Sequence, residues 1–397
     1  MSESAPLPVI IVGAGPVGLS LALTLTQQQI PVEVFEADAV LNTQIRASTF
    51  HPPTLEMFAE WGVVDDVLAQ GFTVHELQYW ERSTRERITS FDYQHIAPDT
   101  PFPYRLQCPQ HLLTRILKPL VEASPYGTVH MGHRFVAFTE TAAEVTAHFD
   151  TAEGRVSASG RLLCGADGAS SAVRKELGFT FSGMTYEDRF LLIGTTLDLE
   201  PLFPGLGPVS YMFDPEEWTI ILQIPGLTRV VFRMQEHEDE AEETRAEALQ
   251  ARLDRFLKTG QTYEIAALQL YKTHQRVADR FYNGRVVLLG DAAHINNPAG
   301  GMGMNSGIHD AYNLAGKIAA VYTRNADINQ QLKRYEAERR SNALQNVRQH
   351  TDKNYRDLTA QDDAYRQTRN QQLRTQAADP AQARAYLLKA SMLADRI

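Results

Sequence analysis

The stretch Val9-Ile10-Ile11-Val12-Gly13-Ala14-Gly15-Pro16-Val17-Gly18 constrains this chain more than any other. An apolar, β-branched run of that length suits a buried parallel strand. The glycines leave the strand and open a segment, Pro16 to Gln29, with apolar residues at helical spacing (Val17, Leu21, Leu25). Pro31 ends that helix, and Val32-Glu33-Val34-Phe35-Glu36 reads as the next strand. Strand, turn, helix and strand in this order form a βαβ unit, which demands a parallel sheet. In that setting Gly13 permits the tight turn, Gly15 lets backbone approach a pyrophosphate, and Gly18 allows close helix–strand packing. Ala14, Pro16 and Val17 complete the turn and the helix start, where unpaired N–H groups favour phosphate. Glu36, followed by Ala37, can accept hydrogen bonds from ribose hydroxyls and would repel a 2′-phosphate. A dinucleotide site is expected; a glycine turn without ligand is the bland alternative.

Two later segments extend the pattern. Cys164-Gly165-Ala166-Asp167-Gly168-Ala169-Ser170-Ser171-Ala172-Val173-Arg174 leaves a strand into a turn carrying a carboxylate and an arginine. Gly284 to Gly290 is another buried strand; it runs into Asp291-Ala292-Ala293-His294 and then Asn297-Pro298-Ala299-Gly300-Gly301-Met302-Gly303-Met304-Asn305 before a helix. A carboxylate at a strand's carboxyl end can accept a polyol hydroxyl, and glycines at the next helix start let amides approach an electron-rich ring edge.

Between these motifs the periodicity changes. Residues 75–105 are rich in aromatics and prolines, and helical spacing returns at Gln110 to Glu122. Phe135–Phe138, Val145–Phe149 and Arg155–Ser159 alternate as a small antiparallel meander. Strands dominate from Phe181 to Leu270 with one helix near Thr244–Lys258, and the chain beyond Asp327 reads as helical.

Composition narrows the function. The 397 residues carry a net charge of −10, which argues against broad capture of nucleic acid. No apolar run reaches the roughly 18 residues of a membrane span. Residues 1–7 are too short and polar for a signal peptide. Cys108 and Cys164 are the only cysteines, so a zinc site or disulfide framework is not expected and a reducing cytoplasm is. The acidic run Glu236–Glu243 and the arginines Arg339, Arg340 and Arg348 read as solvated faces.

With three motifs in this order, the chain resembles the single-component FAD-dependent aromatic hydroxylases, the 4-hydroxybenzoate hydroxylase-like flavoprotein monooxygenases. The resemblance covers about residues 8–345. Phe181–Arg189 and Phe213–Trp218 look most similar to the branch holding 4-nitrophenol 4-monooxygenase and phenylpropionate-type hydroxylases. The implied fold is α/β: a Rossmann-like FAD-binding domain with a parallel sheet and β-meander, interleaved with an α+β substrate domain and a C-terminal helical tail. The expected segments are 1–74, 106–180 and 275–325 for FAD, 75–105 and 181–274 for substrate, and 326–397 for the tail.

The resemblance also implies roles. Gly13, Gly15 and Gly18 would hold the FAD pyrophosphate and Glu36 the adenosine ribose. Arg46 would lie near the phosphates or flavin and take part in catalysis, and Gln110 would sit beside the ribityl chain, with Thr114 where a Glu is often found. Asp167 and Arg174 would serve FAD and transient NAD(P)H contact. Asp291 would bind ribityl, while Pro298, Gly301, Gly303, Met304 and Asn305 would line the isoalloxazine, with Met302 replacing a frequent glutamine. Tyr211 is the candidate for deprotonating the substrate; a core tyrosine is its bland alternative. His294 reads as support for its loop, His274 as part of a connection between domains, and both cysteines as core residues.

The implied chemistry is hydroxylation of a small phenol or related heteroaromatic ring, with NAD(P)H reducing FAD and O2 forming a flavin hydroperoxide. No metal is expected, and the oligomeric state stays open. A flavin-dependent halogenase shares the fold, but its Trp-x-Trp-x-Ile-Pro signature is absent. An epoxidising or Baeyer–Villiger oxygenase and a non-catalytic flavin or metabolite binder remain open alternatives.

Overall fold

The computed structural model describes residues 6–44, 46–296, 300–344, 357, 358, 360 and 362–394. Arg348 lies outside them. Val9–Val12 sits inside a six-stranded sheet in the order Tyr282–Asn283, Val286–Leu288, Leu162–Gly165, Val9–Val12, Val32–Glu36, Gly127–Met131. All its pairs are parallel except the Tyr282–Asn283 edge. Three of its four inner strands, Val9–Val12, Leu162–Gly165 and Val286–Leu288, are buried at every position, which is why they read as unbroken apolar stretches. The helix Pro16–Gln27 packs beside Gln110–Ala123 and Gly303–Thr323. Arg134–Glu140, Val145–Thr151 and Gly154–Gly160 form the meander, and Phe149 stacks on Phe35 at 4.1 Å. The expected α/β architecture is present.

A second, eight-stranded sheet contains Glu76–Glu81 and Glu86–Asp92 beside Val209–Phe213, Thr219–Ile224, Leu227–Met234, Phe181–Thr195, Ala267–Ala278 and His294–Ile295. Alternation sends Leu191, Ile193 and Met212 to one face, where Leu253 and Phe256 of helix Ala246–Leu257 cover them. Phe190, Leu192, Tyr211 and Val231 go to the other face, partly covered by Leu373, Ala383 and Leu387 of the C-terminal helices Asp363–Ala378 and Pro380–Ala390. The tail therefore closes a core. Among the described residues no helix is long and apolar enough to cross a membrane.

Several local expectations need correction. The division at residues 274 and 275 cuts the continuous strand Ala267–Ala278, and His274 lies within that strand, bonded to Thr185 Oγ1 at 2.9 Å. The acidic run is only partly solvated. Its Glu238 and Glu243, with Glu217, surround the fully buried guanidinium of Arg252. Arg339 is 2% exposed rather than on a wet face. Arg340 is partly buried and donates to the Ala278 carbonyl. Charge density alone could not reveal these partners, because they arrive from distant segments.

Arg339 belongs to a buried cluster that holds the third motif. Asp310 accepts from Arg339 Nε at 2.5 Å, from the Gly290 N–H at 3.0 Å, and meets His294 Nε2 at 2.7 Å. His294 thus supports the loop, as expected. Burial opposes ionisation of Asp310, but Arg339 and His294 outweigh it and hold the carboxyl down at about 2. Such a group stabilises the fold above its unfolded value near pH 4, and the contribution, on the order of 2 kcal/mol, is lost as pH falls towards the folded value. Asp310→Asn leaves a buried cation uncompensated. We expect it to cost about 3–5 kcal/mol in urea unfolding at neutral pH and to flatten the acid limb of the stability profile. A loss below about 1 kcal/mol would show that the cluster is not an anchor.

Candidate active site

The carboxyl ends of the parallel strands open into one cavity of about 680 Å³. That volume is within the range of small-molecule and cofactor sites, roughly 300–1,000 Å³. Its wall runs from Glu36 along Gly13–Val17, past Asp167 and Asp291, to Leu192, Leu222, Arg229, Val231 and Tyr271 of the mixed sheet.

The glycines explain the opening. A Cβ on Gly13, whose φ is +107°, would lie 2.5 Å from the Ala166 carbonyl oxygen; one on Gly18 would lie 2.0 Å from the Gly13 carbonyl oxygen. These two let backbone segments touch. Gly15 differs, because a Cβ there meets nothing within 4 Å and Gly15 borders the cavity. Its bare backbone leaves room for a phosphate at the start of helix Pro16–Gln27. Glu36 fixes the turn by accepting from the Ala14 N–H at 2.8 Å and the Asp38 N–H at 3.0 Å. Each carboxylate oxygen keeps a second lone pair for a ribose hydroxyl.

The second and third motifs close in from the neighbouring strands. Asp167 accepts from Ser171 Oγ at 2.6 Å and from the Ala172 and Val173 N–H groups at 2.7 and 3.1 Å, capping the short helix Ala172–Glu176 while bordering the cavity. Asp291 borders the cavity and is exposed to it. Loss of bulk hydration pushes its carboxyl upward, against the pull of His294 and Arg46. Gly301, Gly303 and Met304 complete this wall. Arg46 and Gln110 also border the cavity, and Gln110 Oε1 accepts weakly from the Ala47 N–H at 3.4 Å.

Four expected residues stand off the wall. Gly18 is spent on helix packing. Arg174 is a staple: it donates to the Ala292 and Ala169 carbonyls at 2.8 Å each and lies 3.8 Å from the Phe181 ring centre. Asn305 uses its whole amide internally, donating to the Thr49 and Gly301 carbonyls and accepting from the His51 N–H and Thr54 hydroxyl. Tyr211 is buried against Tyr79, with ring centres 5.5 Å apart. Pro298 lies outside the described residues.

Arg229 and Tyr271 were not anticipated. Arg229 donates to Ser48 Oγ at 3.1 Å and to the Arg46 carbonyl at 3.0 Å, so it fixes the loop carrying Arg46. Burial lowers its pKa, opposed only by Tyr271 among its major neighbours. Both faces of its sheet are buried, so alternation could not mark it. Only its charge within Thr228-Arg229-Val230-Val231 could have drawn notice.

A family model described as an FAD binding domain matches residues 6–350. The chain belongs to that family. The para-nitrophenol 4-monooxygenase of Pseudomonas sp. (strain WBC-3) is 30% identical over 393 residues, 98% of this chain and 96% of that protein. The 6-hydroxy-3-succinoylpyridine 3-monooxygenase HspB of Pseudomonas putida (strain DSM 28022 / S16) is 34% identical over 88% of each chain. The solved p-nitrophenol 4-monooxygenase PnpA from Pseudomonas putida DLL-E4 superposes with a TM-score of 0.91 at 29% identity, covering 97% of this chain and 98% of that one. The protein is an FAD-dependent monooxygenase with aromatic hydroxylases as relatives, and the open cradle at Gly15 with Glu36 and Asp291 fits that cofactor.

The glycines give a paired test. Gly15→Leu places a side chain where the phosphates belong, starting from a Cβ that meets no protein atom within 4 Å, so stability should shift by no more than about 0.5–1 kcal/mol while the purified protein loses its flavin absorbance. Gly18→Ala should destabilise the fold itself, by about 2 kcal/mol or more, because backbone has to move. Full FAD occupancy in Gly15→Leu would refute the placement.

Proposed function

We propose that the protein hydroxylates a small phenol or hydroxylated heteroaromatic ring with NAD(P)H and O2. The observation that carries this reading is one cavity joining a dinucleotide cradle to an apolar wall with an arginine and a tyrosine in it. Both curated relatives are named for rings that carry a hydroxyl group.

The chemistry supplied there by FAD, when bound, would be hydride acceptance from NAD(P)H and activation of O2 for transfer to the ring. The chain's own residues hold, orient and dry the site. Glu36 and Ala37 take the adenosine ribose, and the amides from Ala14 to Val17 take the pyrophosphate. Asp291 accepts from a ribityl hydroxyl. Gly301, Gly303 and Met304 bring the N-terminus of helix Gly303–Thr323 to the ring edge, where the dipole favours negative charge. Arg46, Asp167 and Gln110 face the cofactor from the other walls. Arg174 and Asn305 act through the loops they pin. Leu192, Leu222 and Val231 exclude water from the reacting end.

The unpaired, buried thiols of Cys108 and Cys164 suit a reducing cytoplasm. Burial pushes the Cys108 thiol up to about 12, so it is no nucleophile.

The test is anaerobic stopped-flow reduction of the purified holoenzyme by NADH and by NADPH, with and without a panel of phenols. We expect slow basal reduction and at least a tenfold acceleration by the right phenol, about 1.4 kcal/mol of barrier. No acceleration by any aromatic compound at full flavin occupancy would favour a binding protein. Asp291→Ala should weaken FAD retention about 10- to 100-fold, the worth of a hydrogen bond to a charged group. Unchanged FAD affinity in equilibrium dialysis would remove Asp291 from the ribityl contact.

A further inference from the structure

His51 is fully buried and touches the cavity's wall from behind, through the Gly300 carbonyl. Gly300 and Gly301 lead into the helix Gly303–Thr323, and both sit in the left-handed region, with φ of +106° and +69°. Gly301 borders the cavity. A Cβ on Gly301 would lie 3.0 Å from the Thr49 Cβ, so the turn is pressed against the strand Thr49–Phe50. Two successive glycines are free to adopt many conformations, and such a turn keeps one orientation only where its peptide groups are tied down. The ties come from His51 and Asn305. His51 Nε2 lies 3.0 Å from the Gly300 carbonyl oxygen, and Asn305 Nδ2 donates to the Gly301 carbonyl at 2.8 Å. The His51 backbone N–H donates in turn to Asn305 Oδ1 at 2.9 Å, which joins the two clamps.

The surroundings of His51 fix its protonation state. Burial, Arg105 and His309 all oppose a charge on the ring, and they outweigh the Gly300 and Gly301 carbonyls, which favour one. A neutral imidazole carries one proton, and a carbonyl can only accept, so that proton sits on Nε2. Nδ1 is left a bare acceptor, buried with no hydrogen-bond partner among the described residues. An interior polar atom without a partner lowers stability, and a phenylalanine would fill the same space without that loss. What the imidazole adds is one donor, aimed at Gly300.

Within a peptide group the carbonyl and the following N–H point in opposite directions. A Gly300 carbonyl turned inward to His51 therefore sends the Gly301 N–H the other way, to the side on which Gly301 meets the cavity. We propose that His51 is a positioning residue for the flavin: its Nε2–H holds the Gly300 carbonyl inward, so that the Gly301 N–H donates to the ring edge that gains negative charge on reduction. The inference rests on the placement of the flavin ring at this helix start and deepens it. An amide already fixed in place needs no reorganisation when charge appears, whereas a free diglycine turn has to be ordered first. The reduced ring gains more from that donor than the oxidised ring does. His51 thus raises the reduction potential of the cofactor without touching it.

The experiment measures the two-electron midpoint potential of bound FAD in the purified holoenzyme, by reductive titration against a reference dye. Equilibrium dialysis gives the affinity for oxidised FAD in parallel. His51→Phe keeps a ring of similar size and removes the donor. It should lower the potential by about 30–60 mV, roughly ten- to a hundredfold in the reduction equilibrium, while oxidised FAD loosens less than about threefold. His51→Gln, whose amide can reach the same carbonyl, should restore at least half of that shift. His51→Asn is one methylene shorter and cannot reach it, so it should behave as His51→Phe does. It also covers the case in which the apolar ring does not hold FAD. A potential within about 10 mV of wild type in both His51→Phe and His51→Asn overturns the proposal. So does a shift in His51→Gln as large as in His51→Phe, which would trace the effect to packing. Loss of FAD from all three variants overturns it too, because His51 would then be needed for binding rather than for the potential. Failure of the underlying reading looks different: Asp291→Ala then leaves FAD affinity unchanged, and no aromatic compound accelerates reduction of the wild-type flavin.

Discussion

The contact on which the site depends is backbone against backbone at the ends of three parallel strands. Gly13 meets the Ala166 carbonyl, and Gly18 meets Gly13, at distances where no side chain fits. That closeness draws the glycine turn, the Asp167 turn and the Asp291 loop around one space. Because the strands are parallel, all three loops leave from the same edge of the sheet, and the open crevice forms there. The carboxylates then divide the work. Glu36 and Asp167 are partly spent on amides that lock the turns, whereas Asp291 faces the cavity with its charge opposed by burial.

Buried charge is the second constraint. Asp310 with Arg339 and His294 binds a helix start to the loop it must position, and three glutamates enclose Arg252 beneath the mixed sheet. In both clusters the opposite charge is present, so the groups serve structure. Arg105 and Arg229 contrast with them. Each is buried and none of the described carboxylates forms an ion pair with either; of the two, Arg229 borders the cavity.

The C-terminal helices close one face of the eight-stranded sheet. Leu373, Ala383 and Leu387 cover the substrate-side sheet face, Tyr386 meets Tyr79, and Ala390 accepts from Arg105. A segment that resembles a polar tail in composition thus covers part of a core. Its few apolar residues are spaced to serve that single face.

By itself the sequence determined the strand–turn–helix units, the parallel sheet, the cofactor class and most of the cradle. Those features are local: glycines, β-branched runs and a strand-ending carboxylate state their geometry within a dozen or so positions. Tertiary structure alone decided that Arg174 and Asn305 are staples, that Arg339 is buried, that Tyr211 stacks on Tyr79, and that Arg229 reaches the cavity. Each of these depends on partners far away along the chain: Asn305 meets Thr54 across 251 residues and Arg105 meets Ala390 across 285. In a sheet buried on both faces, alternation carries no inside and outside, so the role of a polar side chain is set by what packs opposite it.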